Sequence, residues 1–315
     1  MVQEVKQPRA GHILLCSIAA LASLLAAACT DSPVTAPRRS PRDASLDRSQ
    51  PTFAITTIDV PGARSTVLEG INAGGDISGF FVSSDGKNHG FVLTSGTFTT
   101  IDYPGADYTD VRGIAPNGDV VGTFANNSEE AVAFHGFRRT AAGEFETVHY
   151  PGHLYEIPQR ILPDGTILGC RHDHDLMGSM DGVVMSRGGD SEIGMFASMN
   201  NGATPDLTRI VGQYVNMALN RTEGFVIDNG VFTPLVVPGS IQTVAWDVNP
   251  RGDVVGVYRN AAGFHGFVLT EDGFTTIDVA GATATRAFGV NARGDVVGSF
   301  AAAGKTHGFL ARRAR

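Results

Sequence analysis

Cys170, His172 and His174 alternate within Cys170-Arg171-His172-Asp173-His174-Asp175. Side chains two residues apart on a strand share one face. A thiol and two imidazoles on one face form a donor set for zinc or copper. The same spacing also fits an exposed polar loop that carries two histidines, so the chemistry depends on context. Tyr108, His153 and Tyr155 join His172 and His174 as candidate ligand-binding residues. They fall near loops expected to open on one side of the molecule, with Tyr103 and Tyr150, and such a cluster would make a binding patch. Later loops offer mostly alanine and glycine (Ala261-Ala262-Gly263, Ala301 to Gly304), and Trp246 reads as core or channel lining.

Four more histidines sit in His-Gly-Phe triplets, at His89, His135, His265 and His307. Counting a hairpin ladder with Leu93 opposite Phe98 places His89 opposite Asp102. The same count places His265 opposite Asp278 and His307 opposite Asp59. Such cross-strand pairs are structural locks rather than a catalytic set, because copies spread over a repeat cannot meet on one substrate. Asp76, Asp119, Asp253 and Asp295 recur in turns, where aspartate accepts nearby backbone N–H groups. Each turn holds too few carboxylates to cage calcium by itself. No cofactor is required by these residues; zinc and calcium are the ions they leave open.

No nucleophile elbow, HExxH pair, P-loop or dinucleotide fingerprint occurs, so no catalytic residue is assigned. A non-catalytic binding or interaction module is favoured over an enzyme. The alternative is a metal-dependent propeller hydrolase or lyase using the His-rich loops of the first three repeats. A net charge of -8 argues against a nucleic-acid partner, which would want a basic stripe on the protein. The expected partner is an extracellular protein, a peptide or a glycan.

The elements that would position these residues repeat six times. Glycines at 79, 122, 169, 212, 256 and 298 end runs such as Gly118-Asp119-Val120-Val121-Gly122, spaced 42 to 47 residues apart. A period in the forties with short β-rich segments predicts a propeller. The first repeat parses into strands near 66–71, 75–82, 89–94 and 97–103. The third repeat ends irregularly, with 191–196 as its fourth strand and 200–207 as a long loop in place of the tight turn. The last repeat lacks a fourth strand, and Ile55 to Gly62 supplies an orphan copy of it. Pairing the two predicts an all-β, six-bladed propeller of four-stranded blades over residues 53–315, its ring closed by the N-terminal strand on the C-terminal one. Closure removes two open edges, and a monomer is expected.

The His-Gly-Phe triplets, the Gly-Asp-Val-Val-Gly runs and the Phe-Thr-Thr-Ile-Asp-x-Pro-Gly-Ala runs resemble those of the HAF-repeat family of extracellular bacterial proteins. The resemblance covers the chain from Phe53 onward. It implies repeat architecture and a surface location, and carries no activity or catalytic residue.

Residues 1–28 read as a lipoprotein-type signal: Lys6 and Arg9 precede an apolar stretch that ends Leu25-Ala26-Ala27-Ala28-Cys29. Cys29 is the candidate lipidation site; the other reading is an ordinary cleavage site before an incidental cysteine. Residues 29–52 are rich in Pro, Ser, Arg and Asp and predict a disordered tether. The chain is therefore expected to be exported, as an outer-membrane lipoprotein or at the cell surface, touching membrane through its lipid only. Cys170 would be the one thiol left without a role in export, so no intrachain disulfide is expected.

Overall fold

The computed structural model describes residues 51–126, 134–149, 153, 155–172, 180–186 and 189–314, with backbone alone for 189–196. The expectations for residues 1–50, including Cys29, and for Tyr150 and His174 lie outside these residues.

Twenty-four strands and no helix form the described structure. The chain opens with β1 (Phe53–Ile58) and continues with β2 (Ser65–Ile71), β3 (Ile77–Val82), β4 (Asn88–Thr94) and β5 (Thr97–Ile101). Next come β6 (Tyr108–Ile114), β7 (Val120–Ala125), β8 (His135–Arg139) and β9 (Phe145–Val148), then β10 (Tyr155–Ile161), β11 (Ile167–His172), β12 (Asp181–Ser186) and β13 (Gly189–Phe196). The fourth group is β14 (Ser198–Ala203), β15 (Arg209–Asn216), β16 (Arg221–Asp228) and β17 (Val231–Leu235). The fifth is β18 (Gln242–Val248), β19 (Val254–Asn260), β20 (Gly263–Thr270) and β21 (Gly273–Ile277), and the chain ends on β22 (Ala284–Val290), β23 (Val296–Ala302) and β24 (Lys305–Arg313).

These strands make a propeller arrangement of four-stranded antiparallel blades. Four sheets stand alone: β10 to β13, β14 to β17, β18 to β21, and β22-β23-β24-β1. The remaining eight strands are one hydrogen-bonded sheet, so four separate blades and one eight-stranded sheet stand where six separate blades were expected. The join is a single parallel bridge between Asn88 and Tyr108, where the Asn88 side chain also donates to the Thr109 carbonyl at 3.1 Å. The orphan strand β1 pairs with β24, from Phe53 opposite Arg313 to Ile58 opposite Gly308.

The third-to-fourth junction differs from the sequence reading. Residues 198–203 form β14, although Ser-Met-Asn-Asn-Gly-Ala has little intrinsic strand preference; pairing with β15 and full burial override it. The tight turn is kept too. Leu207 N donates to Thr204 O at 2.9 Å, just as Gly75 N donates to Asn72 O at 3.1 Å. Leu207 accepts the left-handed conformation there, at φ 58°.

Close strand approach explains the glycine that ends every repeat motif. A Cβ at Gly79, Gly122, Gly169, Gly212, Gly256 or Gly298 would lie 1.9–2.2 Å from a carbonyl oxygen of the neighbouring inner strand. In five of the six it would also strike the ring of Phe91, Phe137, Phe225, Phe267 or Phe309, each fully buried. Gly256→Ala is expected to cost about 2–3 kcal/mol, because a packed core yields poorly to an inserted methyl. Urea unfolding would measure it, and a loss under about 0.5 kcal/mol, the range of an ordinary surface substitution, would refute the argument.

Candidate functional site

The repeated histidines lie beside the expected aspartates, just beyond the last ladder pair of each hairpin. His89 Nδ1 is 3.0 Å from both Asp102 oxygens. His265 Nδ1 is 2.9 Å from Asp278, and His307 Nδ1 is 2.7 Å from Asp59 across the β1–β24 pairing. The three rings stack on Phe81, Tyr258 and Phe300 at 5.0–5.1 Å. The β8–β9 hairpin departs from the pattern: His149 stands where an aspartate is expected, and it lies 3.1 Å from the buried Glu156. Each pair sits in its own sheet.

The turn aspartates have side-chain partners in their own turns, except Asp119, whose partner is on β8. Asp119 meets Arg138 at 2.6 Å, Asp253 meets Arg251 at 2.6 Å, and Asp76 and Asp295 accept from Asn72 and Asn291. Among the described residues, no three His, Cys, Asp or Glu side chains stand together as a metal-binding group.

The inner strands converge on Arg160. Each of them carries a β-bulge at the same place. Four have glycine immediately after it: Gly70, Gly113, Gly202 and Gly289. The other two have Arg160 and Asp247, whose side chains meet at 3.4 Å and are nearly buried. The Arg160 guanidinium also donates to the carbonyls of Arg112 at 3.1 Å, Gln159 at 2.8 Å, Glu69 at 3.1 Å and Phe288. One side chain thus ties β10 to β2, β6, β18 and β22. Sequence reading missed both residues, although each breaks the glycine of the repeat.

Beside this plug lies an acidic pair. Asp110 is fully buried and 3.0 Å from Arg112. Burial, and then the Asp110 charge, push the Glu69 carboxyl up to about 8, while Arg112 and Arg160 pull the other way. Burial also raises Asp110, opposed by Arg112. Tyr108 is raised by burial and by Asp110. It is therefore not the exposed loop tyrosine expected: it begins β6, half-buried, edge-on to Phe134 at 5.4 Å.

Cys170 and His172 occupy one face of β11, with Sγ and Nε2 3.0 Å apart. Both are fully buried, which rules out the exposed-loop reading for them. Burial pushes the Cys170 thiol well above its ordinary range. His172 lines a cavity of 210 Å³ with Arg112, Thr123, Phe134, Met180 and Met199. Tyr155 starts β10 opposite His172, and both Tyr155 and His153 are half-buried.

A second cavity, of 170 Å³, opens between β15, β18, β19, β20 and β22. Trp246 and Phe288 meet edge to face at 5.3 Å in its wall. The guanidinium of Arg286 lies 4.4 Å from the centre of the Phe264 ring, and that of Arg259 lies 5.4 Å from it. Neither arginine forms an ion pair with a described residue, and burial alone depresses the Arg286 pKa. Gln213 and Gln242 add amide groups, and Gln213 lines both cavities. The aromatic site therefore comes from the fifth and sixth repeats, whose loops had suggested mostly alanine and glycine. Its residues lie on strands, and Trp246 and Phe288 stand at the bulge position held elsewhere by Glu69, Arg112 and Gln159.

No family model matches the chain, and no curated protein matches it significantly. Solved structures do. The β-propeller domain of the Trilobed protease from Pyrococcus furiosus is 10% identical, with TM-score 0.51, over 79% of this chain and 94% of that one. TolB from Acinetobacter baumannii is 11% identical, with TM-score 0.53, over 75% of this chain and 63% of that one. A gluconolactonase from Xanthomonas campestris is 12% identical, with TM-score 0.52, over 87% and 99%. At such identity these likenesses establish the propeller fold and nothing of its chemistry.

Proposed function

We propose that the chain is an exported, lipid-anchored propeller of the HAF-repeat kind that binds an acidic glycan without transforming it. The 170 Å³ cavity carries this reading. Aromatic faces at Trp246, Phe264 and Phe288 suit the C–H face of a sugar ring, Gln213 and Gln242 suit its hydroxyls, and Arg259 and Arg286 are cations without a carboxylate partner among the described residues. A half-buried guanidinium held over a ring is ready to take a carboxylate bidentately. The platform would sit on a six-bladed ring closed by β1 on β24, with the fused sheet counted as two blades. The packing of β2 on β22, β23 and β24 supports this, since β18 packs likewise on β15 and β16. Cys29 would carry the lipid and residues 29–52 the tether.

A screen of the purified chain on a glycan array is expected to select uronate-containing glycans. Trp246→Ala and Arg286→Ala should each abolish the signal with the fold retained. Selection of neutral glycans only, or binding that survives both substitutions, would refute the reading. The enzymatic alternative has in its favour the half-buried Glu69 beside the fully buried Asp110. Turnover of the bound glycan that is lost in Glu69→Gln would establish that alternative instead.

A further inference from the structure

The first cavity differs from the second in having sulfur in its wall, from Met180 and Met199. Cys170, Met180 and Met199 pack in one buried cluster, with Ile157 against it. These residues come from three elements. Cys170 is on β11, Met180 immediately precedes β12, and Met199 is on β14 of the next sheet. The Ser198 N–H donates to the Met180 carbonyl at 2.9 Å, which holds Met180 next to the residue preceding Met199. The buried Gln159 amide donates to Met199 Sδ at 3.2 Å and orients that thioether. His172 Nε2, 3.0 Å from Cys170 Sγ, brings an imidazole to the same place. His172, Met180 and Met199 all line the 210 Å³ cavity, as does Thr123, whose buried hydroxyl has no hydrogen-bond partner among the described residues.

We propose that Cys170, His172, Met180 and Met199 bind one Cu(I) ion in the wall of this cavity. Thiolate and thioether donors select Cu(I), and imidazole suits copper as well. A d¹⁰ monovalent ion accepts the donor positions the fold supplies. Charge decides between metals. Binding replaces the thiol proton, which leaves to solvent, so a thiolate with Cu(I) is neutral overall. Zinc or Cu(II) on the same thiolate would leave a net positive charge in a fully buried place lined by Arg112, and burying uncompensated charge is costly. Zinc would also lack a third Cys, His, Asp or Glu ligand among the described residues.

The test is competition for Cu(I) between the full-length, reduced chain and bicinchoninate under anaerobic conditions. The wild type is expected to remove one equivalent, with sulfur and nitrogen scatterers in the X-ray absorption spectrum. Cys170→Ser should abolish this. Met180→Leu with Met199→Leu should lower the affinity roughly 100-fold or more, above the usual loss of an outer-shell contact. That pair nearly conserves volume and should keep the fold, at a cost of under about 1.5 kcal/mol per site. Failure of the folded wild type to take Cu(I) would overturn the proposal. So would an affinity unchanged by the methionine pair, or unchanged by Cys170→Ser, which would put the metal elsewhere.

Discussion

Arg160→Gly is expected to remove about 4 kcal/mol of folding stability, the usual cost of breaking one partner out of a buried ion pair. The loss has two sources. Asp247 would be left without its guanidinium in a setting where burial already raises its pKa. Four inner-strand carbonyls would also lose a donor. The reverse change, Asp247→Gly, should be costly for the complementary reason, since it strands Arg160. The double variant is the informative one. Glycine already holds this position in the other four inner strands, so the pair of glycines makes all six alike. The two losses should therefore overlap by about 2 kcal/mol, within the range of coupling between residues in contact. Strictly additive losses in urea unfolding would show that the two charges do not act as a pair.

Stability should also fall as pH rises from about 4.5 to about 8, by on the order of 2–4 kcal/mol. The sign follows from linkage. Glu69 holds its proton more tightly in the folded chain, up to about 8, than in the unfolded chain, where 4.5 is ordinary. Protonated Glu69 therefore favours folding fully below 4.5, and that contribution is lost as pH rises through 8. Arg112 is the nearest cation and is already 3.0 Å from Asp110, so the pair retains one proton where both carboxylates cannot be compensated. Glu69→Gln keeps the shape and removes the titration, so its stability should be flatter over this window. Equal pH slopes in wild type and variant would refute the assignment.

Periodicity made the strands, the orphan N-terminal copy and the His–Asp register legible, because each depends on local alternation and a count along a hairpin. His307 and Asp59 could be paired across 248 residues for that reason. What escaped was built from single departures. Arg160 and Asp247 are each one substitution in a glycine position, and only their distance shows that they are partners. The aromatic cavity draws Trp246, Phe264 and Phe288 from three strands, so no stretch of sequence displays it. The sequence pattern puts Tyr108 on a loop, and His172 either on a strand face or in an exposed loop, whereas their neighbours in space are Phe134 and Cys170. Met180 and Met199 carry no motif at all.

The pairing of Phe53–Ile58 with Lys305–Arg313 also sets a timetable. At about 5–20 residues per second of synthesis, the first strand waits on the order of 10–50 s for its partner to exist. Its sheet therefore forms only after nearly the whole domain has been made, and such distant contacts form slowly. The first strand stays without its partner long after the early repeats, whose strands pair with near neighbours in the chain, have left the ribosome. The strand that begins the domain thus acts as its last latch.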